Sequence, residues 1–197
     1  MTLRTESDEE LVARLRSHDE GALRELLVKY YVRLGAFSFS LLRRRDLAEE
    51  AVMKAFLNLW RRRESLKLRG PLKSYLFAAV GNQSFTLRKQ QMRHAAVLID
   101  NVPSSQLIDL ARTGSDLLFN ELKDEIDKLI MGLPPQRQIV FRMNRLEGLA
   151  YSEIAEALGV SERTVQNHMV QALKQLAPQL PLLRATLKRE RTRTSFE

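Results

Sequence analysis

Apolar residues recur along this chain at intervals of three and four, and nowhere does a run of alternating apolar and polar residues stand between turn signals. A helix gathers residues three and four apart onto one face, whereas a half-buried strand needs a period of two. The pattern therefore predicts an all-α fold, and the places where it lapses divide the chain into two small helical domains joined by a linker.

Local signals place the helices. Ser7 with Glu10, and Ser17 with Glu20, have the Ser-x-x-Glu spacing in which a hydroxyl and a carboxylate satisfy the free amides of a helix start. They predict helices over 8–16 and 19–44. A third is expected over 46–62, with Val52, Ala55, Phe56 and Leu59 as its apolar stripe. Gly70 and Pro71 restart the chain, and a fourth helix is expected over 71–93 in spite of Gly81, which costs about 1 kcal/mol relative to alanine. From 95 to 115 the periodicity fades into "DNVPSSQLIDLARTGSD", the expected linker. Helices follow over 116–131 and 135–147, then two short ones that end before Pro178 and Pro181. The expected domains are 1–94 and 116–177, with a basic tail over 178–197.

"GLAYSEIAEALGVSERTVQNHMVQAL" spans 148–173 and has the form of a helix-turn-helix. Tyr151, Ile154, Ala155 and Leu158 share one face of the first helix, and Ala155 is small where the second must cross. Gly159 can take the left-handed conformation that ends a helix sharply, Val160 is expected to plug the core, and Ser161 caps the second helix. Ala150 stands where a Ser or Thr would normally cap the first, a loss of about 1 kcal/mol. In the second helix Val165, Met169, Ala172, Leu173 and Leu176 are expected to face inward. Glu162, Arg163, Gln166, Asn167, Gln171 and Lys174 then face outward. Arg163, Gln166 and Asn167 offer near the helix N-terminus the paired donors and acceptors that major-groove base edges require. A solvated helical hairpin is the plainer reading of the same stretch.

Charge points the same way. Thirty-two Lys and Arg against twenty-four Asp and Glu give a net charge of +8, which favours a polyanionic partner. Residues 1–100 hold 19 basic and 12 acidic side chains, residues 101–197 hold 13 and 12. Residues 120–177 hold 7 basic and 8 acidic, so the helix-turn-helix block by itself should bind DNA weakly. The chain has no cysteine, which excludes disulfides and thiolate zinc sites. It lacks an apolar run of about 18 residues, and its acidic, interrupted start does not suit a signal peptide, so a cytoplasmic protein is expected. His18, His94 and His168 each stand apart from acids and hydroxyls at metal or triad spacing, and there is no glycine-rich phosphate loop. Neither catalysis nor a metal or other cofactor is expected. His18 reads as a helix-start residue and His168 as a groove or packing contact.

"DLAEEAVMKAFLNLWRRR" sorts acid to its head and arginine to its end, which either stabilises a helix through its dipole or marks a partner surface. The order of this helix, then "PLKSYL" leading to Asn82 and a basic end, a linker, and "LPPQRQIVFRMNRLEGLAYSEIAEALGVSERTVQNHMVQALKQL" resembles bacterial sigma factors of the compact two-domain extracytoplasmic-function group. The resemblance covers about 8–94 and 116–177.

It implies a sigma-2-like domain that binds the beta-prime clamp helices of core RNA polymerase and opens the promoter minus-ten element. It also implies a sigma-4-like domain that binds the minus-thirty-five element and the beta flap. Carried onto matching positions, Asp46, Glu49, Glu50, Lys54, Phe56 and Trp60 fall in the polymerase-binding helix. Met53 and Lys54 depart from the family, which commonly has a polar residue followed by an acid there. Arg61 to Arg69 resembles the loop that captures an unstacked base. Arg61, Arg62, Arg63, Lys73, Asn82, Arg88 and Lys89 are then the minus-ten candidates, with Tyr75 and Phe77 more suited to a core. Ser161, Arg163, Thr164, Gln166, Asn167, His168 and Lys174 are the minus-thirty-five candidates. The family also implies an anti-sigma partner, often membrane-bound.

"SERTVQNHM" resembles the recognition helix of response regulators too, so a stand-alone regulator is the alternative. Such a protein would carry an α/β receiver ahead of the helix-turn-helix.

Overall fold

The computed structural model describes residues 6–97 and 125–179. Every regular element among them is a helix: α1 (Asp8–Arg16), α2 (Glu20–Leu42), α3 (Arg45–Arg61), α4 (Leu72–Val97), a short α5 over 125–131, α6 (Pro135–Arg145), α7 (Tyr151–Leu158) and α8 (Glu162–Leu176), closed by a 3-10 turn over Ala177–Gln179. The all-α fold in two helical domains is as the periodicity predicts. Residues 6–97 carry no strand of the receiver that a stand-alone regulator would need. Most of the expected linker, the helix over 116–124 and most of the tail lie outside the described residues. No helix among the described residues is long and apolar enough to cross a membrane.

The first domain packs α2, α3 and α4 against one another, with α1 laid on α2. Leu15, Leu26, Leu34, Leu41, Leu59, Leu76 and Phe77 are sealed from solvent, each contributing about 1.5–3 kcal/mol by burial. Phe37 meets Phe77 edge to face at 5.1 Å. At the start of α1 the expected box forms: Glu10 N–H donates to Ser7 Oγ at 3.2 Å, and Ser7 N–H donates to the Glu10 carboxylate at 2.8 Å. The second box does not. Ser17 closes α1 instead, and Asp19 caps α2 by accepting from Gly21 N–H at 2.7 Å. His18 between them has φ 63°, so it is a turn residue and not a helix start. The chain reverses here within three residues, and one of them must take the left-handed conformation.

The second domain is tied by two buried polar groups that periodicity cannot flag. The Gln138 amide donates to Met131 O at 2.9 Å and Leu133 O at 2.7 Å, satisfying carbonyls that the end of α5 leaves free. Arg142, fully buried, donates to Asp127 at 2.7 Å. Ile130, Leu133, Ala172 and Leu176 join α5 to α8.

The two domains are packed together. Ile139, Val140, Met143, Ile154, Ala155, Val165 and Met169 belong to the same buried cluster as the α1–α4 core, and α4 lies against both α6 and α7. Gly81 sits at this junction. A Cβ there would stand 3.1 and 3.2 Å from Cδ1 and Cγ1 of Ile139. The mid-helix glycine that weakens α4 locally is what lets α6 approach it.

Candidate nucleic-acid interface

The helix-turn-helix forms from local chemistry. Glu153 accepts from Ala150 N–H at 2.7 Å, so half of a capping box replaces the missing hydroxyl. Gly159 ends α7 at φ 68°, and Ser161 Oγ accepts from Thr164 N–H at 3.1 Å to start α8. Asn144 fixes the preceding bend by donating to Leu149 O at 2.9 Å.

Val165, Met169, Ala172 and Leu176 are buried as expected, while two positions differ. Val160 is 41% exposed and does not plug the core, because the left-handed Gly159 turns it outward. Leu173 is 42% exposed at the edge of the stripe, where Ala172 takes the inward place.

Of the duplex candidates, Ser161, Arg163, Gln166, Asn167 and Lys174 are exposed, and Thr164 and His168 are half-buried. Ser161 and Thr164 are engaged with each other, their hydroxyls 2.8 Å apart, so their first role is to start the helix. Burial, aided by the Arg137 charge, pushes the His168 pKa down, which keeps the ring neutral at pH 7. Residues 163, 166, 167, 170 and 174 follow helical spacing along one outward stripe, and the fifth member is Val170, 42% exposed. Sequence reasoning passed over it because an apolar residue reads as core. A methyl-bearing side chain on such a stripe can touch a thymine methyl.

The first domain offers two further surfaces. On α3 the acids are each paired: Asp46 with Arg44, Glu49 with Arg45 at 2.9 Å, and Glu50 with Lys54 at 2.7 Å. Arg44 holds the Asp46 carboxyl below its usual range. Phe56 is a correction: at 2% exposure it belongs to the core and cannot touch a partner. The outward apolar residues of α3 are Met53 and Leu57, 52% and 46% exposed. They follow Asp46, Glu49 and Glu50 along the same face at helical spacing, a signal that the sequence does carry. Trp60 is half-buried against the core, and the Arg63 guanidinium lies 4.2 Å from its ring centre.

At the end of α3, Arg61 and the capping Arg62 are exposed. Arg63 is held by Trp60 O at 2.9 Å and by His18 Nδ1. Asn82 and Lys89 are exposed on α4, and Arg88 stacks on Phe85 at 4.9 Å. Phe77 is fully buried, as a core residue should be, and Tyr75 is half-buried. Lys73 is already occupied: its Nζ donates to Glu147 O at 2.6 Å, a backbone oxygen of the other domain. The Glu147 carboxylate in turn accepts from Arg33 of α2 at 2.6 Å. Neither Arg33 nor Glu147 has a sequence signature, since only the packing of the domains brings them together.

Among the described residues no three His, Asp or Glu side chains gather in a way that could hold a metal ion. What the arrangement can do is bind: it presents an amide- and guanidinium-bearing helix face, a basic loop and helix, and an ion-paired face with an apolar centre.

Residues 123–176 match the family model of sigma-70, region 4, which spans α5 to α8. The chain is 22% identical over 173 residues to the ECF RNA polymerase sigma-E factor of Haemophilus influenzae, covering 84% of this chain and 91% of that one. It is 23% identical over 186 residues to the sigma-E factor of Escherichia coli K12, covering 90% and 97%. Among solved structures it resembles CnrH in complex with the cytosolic domain of CnrY, with a TM-score of 0.66, 17% identity, and 90% and 99% of the two chains covered. It also resembles the sigma factor RpoE of Bartonella quintana in complex with the anti-sigma factor NepR, with a TM-score of 0.62, 22% identity, and 80% and 96% covered. The structural likeness gives the fold. A region 4 match that falls on the helix-turn-helix and similarity to sigma-E factors over nearly the whole length agree: the chain is similar to the extracytoplasmic-function sigma factors.

Proposed function

We infer that the chain lends core RNA polymerase its choice of promoter by contacting two elements at once, and that it makes and breaks no covalent bond itself. The observation that carries this reading is the presence, on one chain, of two separate surfaces suited to DNA. Arg163, Gln166, Asn167 and Lys174 of α8 would read the minus-thirty-five duplex, with Val170 as a methyl contact. A guanidinium or carboxamide can pair bidentately with one base edge, which fixes both identity and orientation. The loop over 61–69 and the exposed face of α4, with Arg61, Arg62, Lys73, Asn82, Arg88 and Lys89, would hold the opened minus-ten strand. Cations there would track phosphate, and polar groups would hold unstacked bases. The reading assigns residues 1–94 to the first role and 116–177 to the second, joined by a linker over 95–115.

The polymerase-binding surface would be the outer face of α3. Met53 and Leu57 form an apolar centre beside Asp46, Glu49 and Glu50, the composition of a docking patch with a polar rim. Clamp helices of the beta-prime subunit would lie here, and the beta flap would meet the second domain. Two similar proteins were solved as complexes, one with an anti-sigma factor and one with a cytosolic domain. An anti-sigma partner is the regulator that fits.

The test mixes the full chain with core polymerase and a library of promoter templates in vitro. Transcripts that begin at defined positions only when the chain is present are the expected result. Failure to bind core polymerase, or starts that do not depend on the chain, would overturn the reading.

A further inference from the structure

The turn between α1 and α2 grips the loop that follows α3. His18 stands in that turn at φ 63°, a conformation that glycine takes without strain and other residues seldom enter. The turn by itself therefore calls for no imidazole, and what the imidazole touches is the loop. Arg63 Nε donates to His18 Nδ1 at 2.9 Å, and Nη2 of the same guanidinium lies 2.6 Å from that nitrogen. Its Nη1 donates to Trp60 O at 2.9 Å, and the group lies over the Trp60 ring. Every nitrogen of the Arg63 guanidinium is thus engaged within the chain. At the end of α1, Arg16 donates to Leu66 O at 2.8 Å, and Leu66 is buried. Around these two anchor points Arg61, Arg62, Lys67 and Arg69 are left exposed.

We propose that His18 is a positioning residue of the single-strand surface: by holding Arg63 on Trp60 it sets the loop over 61–69 in the shape that presents Arg61, Arg62, Lys67 and Arg69 to an opened strand. The inference rests on the minus-ten reading of that loop. Arg63 is then a strut and not a phosphate contact. The arrangement needs Nδ1 of His18 unprotonated and the ring proton on Nε2, because a nitrogen that carries a proton cannot accept from a guanidinium. Nε2 faces the Glu64 carboxylate at 3.3 Å, which favours that same tautomer. A loop ordered before the strand arrives binds it without the entropy that ordering on contact would cost.

Full-length variants separate this role from a part in folding. His18→Gly removes the imidazole and relieves the backbone, so the urea midpoint should hold or rise. Binding of a fluorescein-labelled, random-sequence single strand of about 15 nucleotides, followed by anisotropy, should nonetheless weaken about fivefold, the cost of re-ordering one or two side chains on contact. Trypsin should also cut faster between Arg61 and Arg69, the fragments being identified by mass spectrometry. In His18→Asn the amide Oδ1 stands where Nδ1 stood, and asparagine tolerates the left-handed region, so both the affinity and the slow cleavage should return. In an Arg63→Gln background His18→Gly should weaken binding no further. A His18→Gly variant that binds as wild type, a midpoint that falls together with the affinity, a loss that His18→Asn does not restore, or the same loss in the Arg63→Gln background, each overturns the role. If wild type binds no single strand although cleavage responds to both variants, the brace stands as packing, the strand reading fails, and the positioning role falls with it.

Discussion

Gly81→Ala separates what a helix wants from what the fold requires. Alanine in a helix interior is favoured over glycine by about 1 kcal/mol, so a rule drawn from α4 by itself predicts stabilisation. At Gly35 of α2 a Cβ meets nothing within 4 Å, and Gly35→Ala should gain that full amount. At Gly81 the new methyl would stand 3.1 and 3.2 Å from two carbons of Ile139, against about 3.5–4.0 Å for an ordinary carbon contact. Ile139 is fully buried in the core that α6 shares with α4, and an extra methyl forced into a packed core costs about 1–3 kcal/mol. The net for Gly81→Ala is therefore a loss of about 0–2 kcal/mol, and the gap between the two variants is about 1–3 kcal/mol. Urea unfolding of the full chain measures both, at constant slope. Ile139→Val removes Cδ1, the nearest atom, so in that background at least half of the gap should vanish. A Gly81→Ala variant as stabilised as Gly35→Ala would refute close packing of α6 on α4.

Four further outcomes are expected. Lys54→Ala should free Glu50 from its intrahelical pair and tighten core-polymerase binding about twofold, the worth of one such exposed pair; weaker binding in a competition assay would instead make Lys54 a contact. Arg163→Ala should cost about 1–3 kcal/mol on a cognate minus-thirty-five duplex and relax base preference, whereas Lys174→Ala should weaken all duplexes alike and lower the salt slope by about one, both read by titration across salt. Asp127→Ala leaves the fully buried Arg142 without its acid and should destabilise by about 3–5 kcal/mol, while Asp127→Leu/Arg142→Met should recover most of this in thermal melts. The lowered His168 pKa means that the folded chain resists a proton which the unfolded chain accepts, so this contribution to stability is complete above pH 6.5 and is lost as pH falls below it. His168→Gln should flatten the fall in urea midpoint between pH 7 and 5.5, and an unchanged slope would exclude the assignment.

Much of this arrangement can be read without coordinates because it is made by neighbours in sequence. Ser7 and Glu10 form their box, Gly159 takes its left-handed turn, and Val165 and Met169 face inward, each from forces acting within one or two helical turns. The misreadings differ in cause. Ser17-x-x-Glu20 has the right letters, but the chain reverses at His18 and gives the cap to Asp19. Phe56 stands on the apolar stripe with Val52, Ala55 and Leu59, and its burial follows that period; only the resemblance carried onto it a partner contact, which Leu57, on the outer face, is placed to make instead.

The sequence by itself determined the all-α class, the order of the helices, the helix-turn-helix and the identity of most outward groups on α8. Helical period, capping and glycine conformation are local, and their signals lie within a few residues. The tertiary structure decided which helices meet, and with that the meaning of Gly81, the burial of Arg142 and the joining of Arg33, Lys73 and Glu147 across 114 positions of chain. Contacts between distant segments depend on shape and charge that become neighbours only after both domains have folded, and no spacing in the sequence encodes that meeting.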